Sequence, residues 1–394
     1  MKCRITKKNC NVFLDLGKMP LANGFLKKKD FKNEYFFYLK VGFSKSLSLV
    51  QLVKCPNPKK MFNKDYPFYT SSSLHMIKHF KKYASWIKKK FLKSDGSILE
   101  IGSNDGTFLD NFKKNFKVGF EPSRSVHKVA ISKGILSINK FFNQSNIKGF
   151  IKSKKKFDVI VASNVICHIP NQNDLIASMN KLLKENGSII FEEPYLGSMY
   201  KKISYDQIYD EHVYMFSASS INKLYKLHGL KLIDAIPQMT HGGSMRYIIS
   251  KDKNKNTSAR LKKILKQEKS NFTDSLKGCL IFQKKVELSK KKLINKITLL
   301  KKKGHKICGY GATSKSTTIL NYCNINNQLI DCIFDTTPDK INKFSPGKHI
   351  PIVDYKFFKK TDYKKIFLFA WNHKKEILKK EKNKKNLQWF SHLN

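Results

Sequence analysis

The chain has 394 residues, enough for two or three domains, and its 41% hydrophobic content can build substantial cores. No apolar run approaches the ~20 residues of a membrane-spanning helix, and the N-terminal residues 1–4 carry no apolar signal region. The eight cysteines form no C-x-x-C pair, which in a large soluble chain indicates reduced thiols. We therefore expect a soluble, cytoplasmic protein without a membrane partner.

The formal charge of +48 raises the possibility of nucleic-acid binding. Of the 77 basic residues, only Arg4, Arg124, Arg246 and Arg260 are arginine. Proteins that read phosphates and bases rely on arginine for bidentate contacts, whereas lysine here is spread over every segment. Such a surface attracts anionic polymers without specificity. We expect no specific nucleic-acid partner and a monomeric state.

Residues 1–75 contain short strand-like runs separated by turn residues, which predicts a small β-rich module. Two stretches of this module are DLGKMPLANGFL, starting at Asp15, and SLVQL, starting at Ser48. They resemble the N-terminal zinc-binding domain of the sugar C-methyltransferases of deoxysugar biosynthesis. In that family, two C-x-x-C pairs hold a structural zinc ion.

The zinc ligands are where this chain departs from the family pattern. Cys3 matches the first ligand. The other three ligand positions hold Thr6, Ser44 and Leu47. Leucine cannot ligate a metal and serine is a poor zinc donor, so we expect no metal and a module that rests on apolar packing. Cys10 or Cys55 could replace the lost ligands only if the loops rearranged.

The stretch from Tyr66 to Ser73 resembles the family's Y-x-Y-x-S-S segment, which enters the active site and supplies a tyrosine to it. A phenol can hold a sugar oxygen or transfer a proton. Tyr66 and Tyr69 are both candidates for a catalytic role, and the sequence does not decide between them. The alternative is an aromatic loop that packs on the core.

The stretch SILEIGSNDGTFL, starting at Ser97, predicts a buried strand, a glycine turn and then a helix. Its E-x-G-x-x-x-G spacing resembles the first motif of class I S-adenosylmethionine (SAM) methyltransferases. Glycine would let the methionine end of SAM approach the main chain without a Cβ clash. Glu121 ends the next predicted strand, where an acid can accept hydrogen bonds from both ribose hydroxyls. The SAM-binding candidates here are Glu100, Gly102, Asn104, Gly106 and Glu121.

Strand and helix patterns alternate over residues 76–250, which predicts a parallel doubly wound sheet. Asn164 and His168 follow the fourth strand, at the edge of the sheet where ligands bind. The family has a similar N-x-x-x-H-x-P run there. The resemblance implies that Asn164 contacts SAM and that His168 lines the substrate site. The alternative for His168 is a structural histidine.

The most informative cluster is YDQIYDEHVYMFS, starting at Tyr205. It resembles the family's Y-D-Q-I-Y-H-E-H-x-x-x-F-S motif and departs at Asp210, where the family usually has histidine. Methylation of carbon requires a carbanion, and histidine titrates near neutrality. We expect His212 to be the base, Glu211 to orient or tune it, and Tyr209 to donate to an enolate oxygen. The alternative is a polar helix cap before Phe216.

The stretch THGGSMRY, starting at Thr240, resembles the family's H-G-G-S-x-R motif. The resemblance implies that His241 lies in the substrate site. Arg246 can hold a substrate phosphate, and it carries weight because arginine is so rare in this chain. The alternative for Arg246 is a structural ion pair.

Residues 251–303 predict a linker of two amphipathic helices, broken near Gly278. Residues 304–394 then repeat the strand, glycine turn and helix pattern from Lys306 to Thr318, which predicts a Rossmann-like domain. This region resembles the family's C-terminal domain. Tyr310, Lys315 and the helix-start amides of residues 309–313 are the candidates that could face a substrate diphosphate. The alternative is a domain that serves mainly as scaffold.

The resemblance covers nearly the whole chain in family order. It implies an α/β protein with a class I methyltransferase doubly wound sheet, a small β-rich N-terminal module and a C-terminal Rossmann-like domain. The implied reaction is transfer of a methyl group from SAM to carbon, commonly C3, of a nucleotide-activated 4-keto-6-deoxy sugar. The alternatives are sugar O-methylation, RNA methylation and a non-catalytic SAM-binding partner.

Overall fold

The computed structural model describes residues 1–57 and 69–393. Three β-sheets form the framework of these residues. The sheets have four, seven and five strands. The candidate Tyr66 lies outside the described residues. No helix in the described ranges is both long and apolar enough to cross a membrane.

The four-stranded sheet belongs to the N-terminal module, as predicted. Its first three strands are antiparallel: β1 Asn11–Pro20, β2 Phe36–Ser44 and β3 Leu49–Leu52. The fourth strand, β9 Tyr214–Met215, comes from the middle of the chain, and Val50 pairs with Met215 across the β3–β9 register. The module is therefore completed by a strand that starts two residues after His212.

The N-terminal module contributes to two hydrophobic clusters. On one side, Cys3, Leu47 and Leu49 belong to the cluster that contains the core of the seven-stranded sheet. On the other side, Phe13 and Phe43 belong to the cluster that contains the core of the C-terminal sheet. Apolar packing on both neighbouring domains thus stabilises the module.

The seven-stranded sheet is the class I methyltransferase sheet that the sequence predicts. Its strands are β4 Ser97–Ile101, β5 Phe116–Phe120, β6 Leu136–Ile138, β7 Phe157–Ser163, β8 Leu183–Pro194, β10 Lys231–Gln238 and β11 Ser244–Ser250. They lie in the order β10-β11-β8-β7-β4-β5-β6. The pairs among β4 to β8 are parallel, and the pairs made by β11 are antiparallel.

The middle domain carries six α-helices among its described residues: α1 Leu74–Lys90, α2 Arg124–Ser132, α3 Lys148–Lys152, α4 Gln172–Leu182, α5 Leu196–Lys202 and α6 Ala218–Lys226. The direction of chain progression reverses between β4 and β7. Open α/β sheets bind ligands beyond the carboxyl ends of the strands at such a point. This edge of the sheet is where the glycine turn and Asn164 lie.

The prediction of an α-helix directly after the glycine turn is wrong. Only a single 3-10 turn, Leu109–Asn111, forms there. The side-chain amide of Asn111 donates to the carbonyls of Thr107 and Phe108, which are the acceptors that the first α-helical bonds would need. This local competition explains why an apolar helical spacing does not produce an α-helix.

The linker forms two helices, α7 Ala259–Ser270 and α8 Leu276–Lys302. The break precedes Gly278, and a Cβ on Gly278 would lie 2.1 Å from the carbonyl oxygen of Phe272. Glycine therefore permits the sharp join between the helices rather than ending either of them.

The C-terminal sheet is parallel throughout, which confirms the predicted Rossmann-like domain. Its strands are β12 Ile307–Tyr310, β13 Ile333–Asp335, β14 Ile352–Asp354, β15 Lys365–Leu368 and β16 Gln388–Phe390. Its helices are α9 Ser314–Tyr322, α10 Tyr355–Phe358 and α11 Lys374–Lys380. The strand order is β14-β13-β12-β15-β16.

Candidate active site

A cavity of about 790 Å³ lies where the middle domain, the catalytic segment (residues 205–212) and the C-terminal domain meet. Gly102 of the glycine turn and His212 both line it, as do Tyr310 and Lys315 of the C-terminal domain. Asn23 of the N-terminal module also reaches the cavity. One space therefore connects the expected SAM turn, the expected base and the expected substrate domain.

The two glycines of the turn are required for a different reason than the sequence suggests. Gly102 and Gly106 have φ values of +69° and +75°, which side chains rarely adopt. A Cβ on Gly102 would lie 2.4 Å from Val165, and one on Gly106 would lie 2.3 Å from Ile135. Backbone conformation and packing within the protein thus demand glycine at both positions, before any ligand is considered.

Two carboxylates stand at the ends of neighbouring strands β4 and β5. Glu121 accepts from the N–H groups of Asn104 (2.9 Å) and Ser123 (2.7 Å). Glu100 is 3% exposed, and the described part of the chain offers no hydrogen-bond partner to its Oε2. Burial, together with the charges of Asp105 and Glu121, raises the pKa of Glu100 well above its usual range.

Asn164 lies in the left-handed region with φ of +56°. Its amide nitrogen donates to Nε2 of His241 at 3.1 Å, while its Oδ1 is buried without a partner in the described residues. Burial lowers the pKa of His241 to about 3, so the ring stays neutral and can accept this bond. Both Glu100 and Asn164 line the cavity, and each has a buried oxygen without a hydrogen-bond partner in the described residues. SAM, which carries an ammonium and a sulfonium charge, fits such a site.

The segment before α1 closes over the same turn. The N–H of Thr70 donates to Oδ1 of Asn104 at 2.9 Å, and the N–H of Ser71 donates to Asp105 at 2.8 Å. Thr70 lines the cavity, whereas the preceding Tyr69 is not among the lining residues. Asn104 therefore joins Glu121 to the segment that Tyr66 and Tyr69 belong to.

The catalytic segment fixes the state of His212. Its Nδ1 donates to the carbonyl of Gln207 at 2.6 Å, because a carbonyl can only accept. Its Nε2 therefore accepts from the hydroxyl of Tyr209 at 2.9 Å. Burial, with a contribution from His168, lowers the pKa of His212 well below its usual value. The ring is neutral and presents a lone pair on the Nε2 side, where Tyr209 also lines the cavity.

Glu211 does not orient His212, which corrects that half of the sequence expectation, whereas its tuning of the ring stays a prediction. Both ring nitrogens of His212 are already engaged by Tyr209 and Gln207. The Glu211 carboxyl instead accepts from the side-chain amide of Asn23 at 2.7 Å and lines the cavity on its own account. Asn23 escaped sequence reasoning because 188 residues separate it from Glu211.

His168 lies beside His212: the two ring centroids are 5.3 Å apart and the ring planes are nearly parallel. Cys167, His168 and His212 form a cluster whose donor atoms lie within 4.8 Å of one another, and no other such cluster exists among the described residues. The donor set is poor for a metal ion because His212 uses both nitrogens and burial raises the pKa of the Cys167 thiol.

Arg246 does not reach the cavity, contrary to the expectation that it holds a substrate phosphate. It is 7% exposed and pairs with Glu192, to which its Nε donates at 2.7 Å. Its guanidinium lies 3.8 Å from the ring centroid of Tyr83 on α1. His79, also on α1, contacts the other oxygen of Glu192 at 2.6 Å. The arginine is the centre of a buried structural ion pair.

Residues of the C-terminal domain contact the catalytic segment through hydrogen bonds and an ion pair. Asp206 accepts from the indole N–H of Trp371 at 2.6 Å and lies 3.1 Å from Nε2 of His392. Thr318 on α9 donates to the carbonyl of Ile208 at 2.9 Å. A Cβ on Gly242 would lie 2.2 Å from Trp371, so the H-G-G loop also packs on this domain.

The amides of Gly311 and Ala312 are not available to a diphosphate, which corrects that part of a second expectation. The Ala312 N–H donates to Asp335 at 2.6 Å, and the Gly311 N–H donates to the carbonyl of Phe334 at 2.8 Å. The Tyr310 hydroxyl donates to Glu381 at 2.9 Å. The cations at this end of the cavity are lysines instead: Lys315, Lys340 and Lys380.

Three of the four positions that correspond to zinc ligands, Cys3, Thr6 and Ser44, form a polar cluster in the N-terminal module. Burial raises the pKa of the Cys3 thiol, but hydrogen bonds from Ser44 and Thr6 outweigh it and bring the pKa to about 7. Thr6 contacts Ser46 at 3.3 Å, and Ser44 contacts Ser46 at 3.2 Å. Leu47 packs in the apolar cluster beside them. These residues do not fit a zinc ion, because one thiol is the only strong ligand that the four positions offer.

Gln51 crosses this cluster. Its amide nitrogen donates to the thiol of Cys10 at 3.1 Å, and its oxygen accepts from the N–H of Arg4 at 3.1 Å. Gln51 is fully buried, so both ends of its amide are satisfied within the protein. Gln51, which lies on β3, thus links Arg4 and Cys10 near the N-terminus to the sheet by hydrogen bonds.

Comparison with known proteins agrees with this architecture. Three family models match in sequence: a zinc binding domain over residues 3–62, a methyltransferase domain over residues 75–235 and a C-methyltransferase C-terminal domain over residues 239–391. The C-methyltransferase NovU from Streptomyces niveus is 26% identical over 94% of this chain and 89% of its own length.

Among solved structures, a SAM-dependent methyltransferase from Clostridium acetobutylicum is 16% identical, with coverage of 43% of this chain and 91% of that chain and a TM-score of 0.35. Magnesium protoporphyrin IX methyltransferase from Synechocystis, with bound SAH, is 12% identical, with coverage of 45% and 83% and a TM-score of 0.35. The three family models match in order along nearly the whole chain, which is therefore similar in its full domain order to C-methyltransferases.

Proposed function

We propose that this protein transfers the methyl group of SAM to a carbon of a nucleotide-activated 4-keto-6-deoxy sugar, at C3. The observation that carries the proposal is the shared cavity, which brings the glycine turn, the Tyr209–His212 pair and the lysines of the C-terminal domain to one space. A small anionic substrate that reacts at carbon needs all three of these features.

The substrate class follows from what the cavity offers at its C-terminal end. Lys315 is partly buried, lies 4.9 Å from the ring centroid of Trp371 and contacts Asn372 at 3.4 Å. Lys340 is held by the carbonyl of Ala312 at 2.8 Å. Fixed ammonium groups of this kind suit a diphosphate, which a nucleotide sugar supplies. Arg246 takes no part, because Glu192 already neutralises it.

The proposed chemistry begins at the carbon beside the ketone. His212 takes the proton on Nε2, and the hydroxyl of Tyr209 turns to donate to the ketone oxygen as negative charge develops there. The resulting imidazolium keeps its Nδ1–H bond to the carbonyl of Gln207, which favours the charged ring. When bound, SAM supplies the electrophilic methyl group that the enolate carbon attacks. Glu121 and Glu100 would hold the ribose and the ammonium group of SAM.

The experiment that tests this function uses a panel of keto-sugar nucleotides. We expect hydrogen–deuterium exchange at the carbon beside the ketone without SAM, and a product with a new carbon–carbon bond when SAM is present, read by carbon NMR. A methyl ether product without exchange would instead establish O-methylation. Salt-sensitive methylation of RNA would favour the RNA alternative. SAM binding without any turnover on the panel would point to a non-catalytic partner.

We also propose that the N-terminal module keeps its fold without zinc. The hydrogen bonds of Gln51 and of the Thr6, Ser44 and Ser46 hydroxyls would stabilise the region where relatives bind the metal. We expect purified protein to contain well below one equivalent of zinc, and a chelator to leave its melting temperature unchanged. Elemental analysis and a thermal melt measure both. A full equivalent of zinc, removed by the chelator with a fall in melting temperature, would contradict the proposal. Cytoplasmic location and a monomeric state stay predictions.

A further inference from the structure

Two adjacent residues of the N-terminal module hold two adjacent carboxyls of the catalytic segment. The N–H of Ala22 donates to Oδ1 of Asp210 at 2.9 Å, and Nδ2 of Asn23 donates to Oε1 of Glu211 at 2.7 Å. Both carboxyl residues are buried, with exposed fractions of 2% and 4%. The contacts join parts of the chain that are 188 residues apart, so they exist only in the assembled protein.

Of the two contacts, the one made by Asn23 lies at the wall of the cavity. Asn23 and Glu211 both line the cavity, as does His212, whereas Asp210 does not. The titratable groups whose charges couple to Glu211 are Asp210 beside it and the Cys167 thiol on the loop after β7, and His212 is its neighbour in the chain. Burial and the charge of Asp210 both raise the pKa of Glu211, and the Asn23 amide is the contact that lowers it.

The loop that carries Asn23 is itself fixed from the far side. Thr317 on α9 donates to the carbonyl of Ala22 at 2.8 Å. The next residue, Thr318, donates to the carbonyl of Ile208 in the catalytic segment at 2.9 Å. One helix of the C-terminal domain therefore sets the spacing between the loop and the segment, and the Asn23 amide has a defined direction toward Glu211.

We propose that Asn23 is a positioning residue of the active site: it fixes the Glu211 carboxyl at the cavity wall, so that the N-terminal module completes the catalytic machinery. A negative charge next to His212 stabilises the imidazolium that forms when the base takes its proton. The catalytic role given to Asn23 rests on the proposed function. The effect of Asn23 on the pKa of the Glu211 carboxyl is independent of that function.

The test replaces Asn23 by a residue of similar volume that cannot donate, in Asn23→Leu. We expect Glu211 to keep its proton to higher pH, because its charged form has lost a hydrogen bond. Substrate proton exchange should fall about tenfold at neutral pH and recover as the pH is raised, while SAM affinity is unchanged. Difference infrared titration of the purified protein, with the Glu211 band identified by Glu211→Gln, reads the carboxyl directly and needs no substrate.

The matched control is Asn180→Leu, which removes the same kind of side chain, because Asn180 Nδ2 donates to the carbonyl of His228 and Asn180 does not line the cavity. We expect Asn180→Leu to lower the melting temperature without moving the Glu211 titration. If Asn23→Leu fails to fold, Asn23→Ser, whose hydroxyl is one atom too short to replace the amide, takes its place. An unmoved Glu211 titration, or a loss of exchange that is equal at every pH, would overturn the inference. Absence of exchange in the unmodified protein would refute the proposed function alone.

Discussion

Replacing His212 by asparagine should abolish proton exchange at the sugar carbon beside the ketone. General base catalysis contributes roughly 10²–10⁴-fold to rate, and we expect a loss of that size. SAM affinity should stay near that of the unmodified protein, because Glu100 lies on β4 while Glu121 and Asn164 directly follow β5 and β7. Exchange is followed by proton NMR in deuterium oxide without SAM, and SAM binding is followed by calorimetry.

The pH dependence of exchange gives a second measure of the same residue. Burial holds the pKa of His212 well below its usual value, so the ring stays unprotonated and competent below the pH at which an ordinary histidine would titrate. Protonation of His212 should therefore lower the exchange rate only well below that pH, whatever the Glu211 carboxyl contributes at higher pH. His228→Asn is the matched control, since His228 lies after α6 and does not line the cavity. Exchange at the unmodified rate in His212→Asn would remove this residue from the mechanism.

The parts of the site that sequence predicted correctly are those carried by short, contiguous patterns. The glycine turn and the segment from Tyr209 to His212 each contain their own geometry within a few residues. The glycine turn reaches the cavity because parallel strands present their carboxyl ends at one edge of the sheet, whereas the segment lines the cavity from the connection between α5 and β9. The helix after the glycine turn failed because one side chain, that of Asn111, competes for carbonyls that periodicity alone assigns to a helix.

The parts that sequence missed depend on contacts between distant elements. The partner of Glu211 is Asn23, and its contact forms only once the N-terminal sheet has accepted β9 from the middle domain. The amide of Ala312 was expected to face substrate, but Asp335 at the end of β13 reaches it first. Spacing along the chain carries no information on which of two neighbouring partners satisfies a polar group.

Arg246 offers the sharpest contrast between the two interpretations, because each predicts a different outcome for Arg246→Met. As the centre of a buried pair with Glu192, its removal leaves a carboxylate in the core without its cation. We expect a loss of about 3–5 kcal/mol in the free energy of unfolding. A phosphate ligand would instead raise the KM for substrate and leave stability unchanged.

Arg260 supplies the matched control, since it pairs with Asp234 at the surface, where its side chain is 47% exposed. Arg260→Met should cost about 0–1 kcal/mol, because water screens an exposed pair. The double variant Arg246→Met with Glu192→Gln should recover part of the loss, since it leaves no buried charge unpaired. Denaturant unfolding measures all three variants. Equal stability of Arg246→Met and Arg260→Met, together with a raised KM in Arg246→Met alone, would return the arginine to the substrate site. The Arg246–Glu192 pair contacts α1 through His79 and Tyr83. Loss of the pair should therefore loosen the packing of α1, the helix that follows Tyr69, on the sheet.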